Sequence, residues 1–235
     1  MTEAHSEPLD AEVHAPPNAN LFERDWDVPW HAHLVPVVLS IVMVGLWLSS
    51  HGDTSSYAVS WEPIRQDRIL PLFSHIFAHA GLPHLALNLV ALLILGGPLI
   101  SRLGRPPMSW ARFIYLFIGG GVSGAVMFLL VNRDASLSVL GASGSIFGLV
   151  AALARIHPIT GELVGITSKR TWSLFKFFIG NHFVLFALIA IVAVVSGRAV
   201  GLAWEAHLGG LIFGFFTAAI FLPRAPQGNN QSQSR

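Results

Sequence analysis

Residues 139–154 read VLGASGSIFGLVAALA, an apolar run interrupted by Gly141, Ser143, Gly144, Ser145 and Gly148. Such a run suits a helix in an apolar solvent, and its small residues let neighbouring helices approach closely. Taken alone, Ser143 reads as one more packing serine, its hydroxyl bonded back to a backbone carbonyl. Its meaning depends on what the rest of the chain brings to the same depth.

The surrounding sequence is of the same kind. Of 235 residues, 53% are hydrophobic and 11% charged, where a soluble domain carries about 25% charged residues. This balance marks a membrane protein. A spanning helix takes about 20 mostly apolar residues, and six segments qualify: 34–50, 83–100, 111–131, 137–154, 172–195 and 203–222. Polar breaks separate them, and Pro83 suits the first turn of the second helix, where its missing N–H costs nothing. The expected fold is an all-α polytopic bundle of six transmembrane helices over residues 33–222. The tails, 1–32 and 223–235, are polar and expected to be disordered. No basic stretch leads into an apolar core near the start, so a cleavable signal peptide is not expected. The absence of cysteine excludes disulfides, thiolate metal sites and a cysteine nucleophile. No phosphate-binding glycine loop and no basic–aromatic patch is present, so neither a nucleotide cofactor nor a nucleic-acid partner is expected.

Charge placement orients the bundle. With the N-terminus inside, Arg24, Arg102, Arg105, Arg112, Arg155, Lys169, Arg170, Lys176, Arg224 and Arg235 are cytoplasmic, ten of the fourteen basic residues. Both termini are therefore expected to be cytoplasmic. The second, fourth and sixth helices then run from outside to inside. His84, Asn88, Ser143 and His207 all fall near their outer ends, within about 10 Å at 1.5 Å per residue. Polar groups inside spans are costly and face the bundle interior or a hydrated cavity, so four at one depth form one expected site. His182 on the fifth helix lies about 15 Å from the cytoplasmic end. That depth sets it apart from Ser143, as an interhelical hydrogen-bonding group beside Asn181.

The chemistry open to that site is narrow. The six segments carry no Asp or Glu except Glu205 at the edge of the last, which removes a paired-carboxylate mechanism. No His-Glu-x-x-His appears, and His75 and His79 have no carboxylate to complete a metal site, so no metal is expected. A hydroxyl, an imidazole and an amide remain. Serine needs a base to become a nucleophile, and histidine is the usual one. Ser143 and His207 would act as a dyad. Asn88, His84 and the Ser143 backbone N–H are donors for a developing oxyanion. Gly210 and Gly214 share the His207 face, and Gly141, Gly144 and Gly148 thin the helix around Ser143. A close approach of these two helices brings imidazole to hydroxyl.

Three stretches together resemble the rhomboid family of intramembrane serine proteases: HIFAHAGLPHLALN at residues 75–88, GASG at 141–144 and AHLGGLIFG at 206–214. The resemblance runs from about residue 34 to 222. It implies a six-helix core around a water-filled cavity open to the outside, with Ser143 as nucleophile and His207 as general base. His84, Asn88 and the Ser143 N–H would line the oxyanion hole. It implies transmembrane protein substrates, cut near the membrane surface, and no cofactor. Where many bacterial members carry a tyrosine one turn after the nucleophile, this chain has Phe147, which stacks but donates no hydrogen bond. Where many carry a Trp-Arg pair ahead of the second-helix histidines, it reads DRILPLFSH. An integral multi-pass protein of a bacterial inner membrane is the expected setting. Two other functions are open: a rhomboid-like pseudoenzyme that binds membrane clients, and a small transporter using the histidine-lined cavity. No inverted repeat supports the transporter.

Overall fold

A computed structural model describes residues 28–133, 136–157, 160–196 and 202–222. The chain enters through a 3₁₀ turn, Trp30–His33, continuous with α1 (Leu34–Ser49). The expected tail at 1–32 is therefore cut short. Residues 1–27 and 223–235 lie outside the described residues, but Ala32 is already fully buried and His31 accepts a hydrogen bond from Trp110 Nε1 at 3.2 Å. After α1 come β1 (Val59–Ser60), α2 (Trp61–Arg65) and α3 (Pro71–Ser74). Then follow α4 (Leu82–Arg102), α5 (Met108–Val131), β2 (Ser138–Val139), α6 (Ser143–Ala154), α7 (Lys169–Ser196) and α8 (Trp204–Phe221).

Among the described residues, five helical stretches are long and apolar enough to cross a membrane: Trp30–Ser49, Leu82–Arg102, Met108–Val131, Lys169–Leu188 and Trp204–Phe221. The expected span at 137–154 is corrected. Its helix starts at Ser143 and has 12 residues, about 18 Å at 1.5 Å per residue, short of a hydrocarbon core of about 30 Å. The preceding residues are extended instead. β2 pairs antiparallel with β1, Val139 opposite Val59 and Ser138 opposite Ser60. Gly141 then takes φ +124°, a left-handed conformation that no helix continues through and that favours glycine.

α5, α6 and α8 pack as a tight trio, and α6 is its centre. Every residue of α6 after Ser143 is buried, which explains why this helix is apolar on all sides. Glycine makes the packing possible. A Cβ on Gly210 would overlap the backbone carbonyl of Gly144, and one on Gly214 that of Gly148. α1 lies against α4, where Gly96 and Gly97 admit Pro36 and His33. α7 packs more lightly, mainly on α6. Large apolar side chains cover the outward faces: Val38 and Ile41 on α1, Leu87 and Ile94 on α4, Ile179 and Phe183 on α7, Phe216 and Ile220 on α8. In water such surfaces would drive aggregation; against acyl chains they are satisfied.

The segment between α1 and α4 is anchored at several points. Trp61 Nε1 donates to the carbonyls of Leu129 and Asn132 at 2.9 and 3.0 Å, tying α2 to the end of α5. Arg65 lies 5.8 Å from the Trp61 ring. Glu205, the one acidic residue near the helix ends in the sequence reading, accepts from Asn132 Nδ2 at 3.1 Å. Its carboxylate is thereby spent on joining α5 to α8.

Candidate active site

The turn ahead of α4 sets the site's outer wall. His75 Nδ1 donates to Pro71 O at 3.0 Å, and His75 O accepts the Gly141 N–H at 2.8 Å. The His79 N–H donates to Thr54 Oγ1 at 2.8 Å, and the Thr54 hydroxyl donates back to His79 O at 2.9 Å. Both histidines hold loops in place. Burial pushes the His75 imidazole down to about 4. Burial, then the charge on His84, pushes His79 down to about 4 as well. Both rings are uncharged in the folded protein. An unfolded chain takes up their protons as pH falls through the ordinary 6.5, whereas the folded protein resists until about 4. The stability they contribute is complete above 6.5 and is lost between 6.5 and 4. Each ring costs up to about 1.4 kcal/mol per pH unit in that window. Detergent melting curves should therefore show a midpoint that falls as pH drops below 6.5. His79→Asn should flatten the fall, because the bonds to Thr54 come from the backbone.

Gly141 brings the start of α6 against α4. A Cβ there would lie 2.6 Å from His84 Cε1 and 2.8 Å from His84 Nε2, so the imidazole lies directly on the glycine. Gly141→Ala combines a clash with an unfavourable φ. We expect it to destabilise the protein by about 1–3 kcal/mol, read as a lowered melting temperature. Asn88, one turn after His84, donates Nδ2 to His84 O at 2.8 Å and is 5% exposed. Its amide carries a second N–H that this bond does not use.

Ser143 is the first residue of α6 and His207 the fourth of α8. The Ser143 hydroxyl and His207 Nε2 lie 2.8 Å apart. The first helical bond of α6 runs from Ile146 N to Ala142 O at 2.9 Å. The N–H groups of Ser143, Gly144 and Ser145 therefore stand outside the intrahelical ladder, at the positive end of the helix. Phe147 stacks on His207 with centroids 4.6 Å apart and an interplanar angle of 29°. His84, Asn88, Ser143, Phe147 and His207 line one cavity of about 390 Å³. Its remaining walls are mainly apolar, from α4 (Leu87, Ile94), α6 (Ile146, Val150) and α7 (Phe177, Leu185). A base on a hydroxyl, unpaired donors beside it and an apolar trough together are equipped for acyl transfer to serine.

The structure thus brings together all four polar residues singled out from the sequence, with Gly141, Gly144, Phe147 and Gly210 around them. It also corrects the placing of His182. His182 Nε2 is 2.9 Å from His207 Nδ1. The expected separation in depth rests on a fourth helix starting at 137, whereas α6 starts at Ser143. Counted from the opposite helix ends, Ser143 lies about 17 Å from Ala154, His207 about 21 Å from Phe221 and His182 about 20 Å from Lys169. A polar side chain in an apolar run was the available signal, and level depth confirms it. Among the described residues no cluster of His, Cys, Asp or Glu is arranged to hold a metal.

The family model for the rhomboid domain matches residues 66–224. RHOMBOID-like protein 1 of Arabidopsis thaliana is 32% identical over 170 residues, 70% of this chain and 38% of that protein. Rhomboid protease GluP of Bacillus subtilis is 31% identical over 197 residues, 80% of this chain and 34% of that protein. RHOMBOID-like protein 5 of Arabidopsis thaliana is 25% identical, over 94% of this chain and 78% of its own length. The chain thus spans little more than a third of two of these relatives. The domain match covers both Ser143 and His207 and the whole of the packed trio, and the chain belongs to the rhomboid family.

Proposed function

We propose that the protein is an intramembrane serine endopeptidase that cleaves transmembrane proteins near the external membrane face. The observation that carries the reading is the 2.8 Å contact between Ser143 Oγ and His207 Nε2 at the head of an apolar-walled cavity. In this reading His207 takes the hydroxyl proton as Ser143 Oγ bonds to the substrate carbonyl carbon. The oxyanion is met by the Ser143 N–H, Asn88 and His84. Collapse of the tetrahedral adduct breaks the C–N bond, and His207 returns the proton to the leaving amine. Water then releases the acyl group by the same steps in reverse order. In this reading α6, fourth in chain order, completes a bundle of six helices and is short because its first residue must meet water below the membrane surface. Both termini are cytoplasmic in this reading, on the distribution of basic residues.

The substrate helix must unwind before its carbonyls are accessible, since a continuous helix keeps them in its own ladder. Gly or Pro near the cut site should therefore favour cleavage. α7, the lightly packed wall of the cavity, is the element that moves to admit the substrate. A crosslink between α4 and α7 should abolish cleavage of a membrane-embedded reporter; unchanged cleavage would remove this gate. The function itself is tested by labelling with a fluorophosphonate. Covalent modification at Ser143 in the wild type, absent in Ser143→Ala, is expected. An unmodified wild type would overturn the reading.

A further inference from the structure

The geometry points to a third member of the site: His182 is a positioning residue that holds His207 in the tautomer and orientation required by a general base. This rests on the protease reading above.

The Phe178 carbonyl oxygen can only accept, and His182 Nδ1 lies 2.8 Å from it. His182 Nδ1 therefore carries a proton and donates it. In a neutral imidazole the other nitrogen is then an acceptor. That nitrogen, Nε2, faces His207 Nδ1 at 2.9 Å, so His207 must carry its proton on Nδ1. The lone pair of His207 is left on Nε2, and Nε2 faces the Ser143 hydroxyl at 2.8 Å. One backbone carbonyl of α7 thus sets the protonation pattern of the whole line, from Phe178 O through His182 and His207 to Ser143. The opposite tautomer of His207 would point an N–H at Ser143 and a lone pair at a lone pair.

Packing fixes the same arrangement. His182 is 7% exposed. Its ring lies 4.1 Å from the Phe178 centroid and 5.2 Å from that of Phe147, and Phe147 also covers His207. The two imidazoles share one aromatic enclosure. When the Ser143 proton moves to His207 Nε2, the Nδ1–H bond to His182 is kept, and the new imidazolium has an acceptor already in place. No proton passes to His182. A carboxylate in this position would stabilise the imidazolium more strongly. It would also bury a net charge in an apolar bundle, which is costly. A neutral imidazole supplies the acceptor without that penalty. Its removal should therefore cost less than removal of a catalytic carboxylate.

His182→Phe keeps a planar ring in the enclosure and removes the acceptor. His182→Gln places an amide oxygen close to where Nε2 stands. With each variant shown to be folded by its melting curve, we expect His182→Phe to slow fluorophosphonate labelling of Ser143 by about tenfold or more, the worth of one hydrogen bond of about 1.4 kcal/mol. On a transmembrane reporter, kcat should fall with KM within about twofold. His182→Gln should recover most of both rates. In ¹⁵N spectra the His207 ring should be the Nδ1–H tautomer in wild type and His182→Gln, and a mixture in His182→Phe. Should His182→Phe not accumulate, His182→Leu makes the same comparison. Wild-type labelling and an unchanged His207 tautomer in His182→Phe would overturn the proposal. So would equal losses in the Phe and Gln variants, which would make the ring mere packing. A wild type that labels nowhere would instead overturn the protease reading, and the ¹⁵N comparison would still decide the role of His182.

Discussion

Ser143→Ala is expected to lower cleavage of a transmembrane reporter by at least about 10⁴-fold, and His207→Ala by a similar factor. Serine is a weak nucleophile until its proton is taken, so neither side chain retains useful activity without the other. The double variant should be no worse than either single one, because the two act as a unit. The fold should survive. Ser143 is partly exposed to the cavity, and its contact with His207 joins side chains rather than helices' backbones. A melting temperature close to wild type, with cleavage lost, is the combination to look for. Retention of more than about one per cent of the rate in Ser143→Ala would be incompatible with a serine nucleophile at this position.

The second large effect is expected at the crossing of α6 and α8. Gly210→Val and Gly214→Val each put a branched side chain where the backbone carbonyl of Gly144 or Gly148 now stands. A flexible side chain can move aside; a carbonyl in a packed helix cannot, so the helices must separate. Overpacking of this kind costs about 1–3 kcal/mol or more. A shift of about 1 Å between Ser143 and His207 is enough to cost about 100-fold in rate. Both melting temperature and labelling of Ser143 should drop together. Gly45 and Gly180 supply the contrast: nothing lies within 4 Å of a Cβ at either, so Gly→Ala there should leave both measurements nearly unchanged.

Much of this was legible in the chain. Long apolar segments with polar breaks marked α1, α4, α5, α7 and α8 to within a few residues, because a bilayer leaves a helix of set length as almost the only way to satisfy the backbone. The pairing of Ser143 with His207 was legible for a related reason. A bundle with so few polar groups inside offers few partners, and elimination left a hydroxyl and an imidazole. The start of α6 was not legible. The short stretch 137–140, three apolar residues around Ser138, satisfies a helix or a strand equally, and the choice is made by Val59 and Ser60, nearly eighty residues earlier, which pair with Val139 and Ser138.

The sequence by itself determined the solvent of this protein, the rough extent of α1, α4, α5, α7 and α8, and the residue types able to do chemistry at its centre. Those follow from local composition, which any segment carries with it. The tertiary structure decided where Ser143 sits, what faces His207 Nδ1, and which glycines are indispensable. These depend on the relative height and separation of helices far apart in the chain. His182 shows the difference most clearly: its residue type was visible from the start, but its partner was settled only by where the folded bundle sets α7 against α8, with His182 Nε2 2.9 Å from His207 Nδ1.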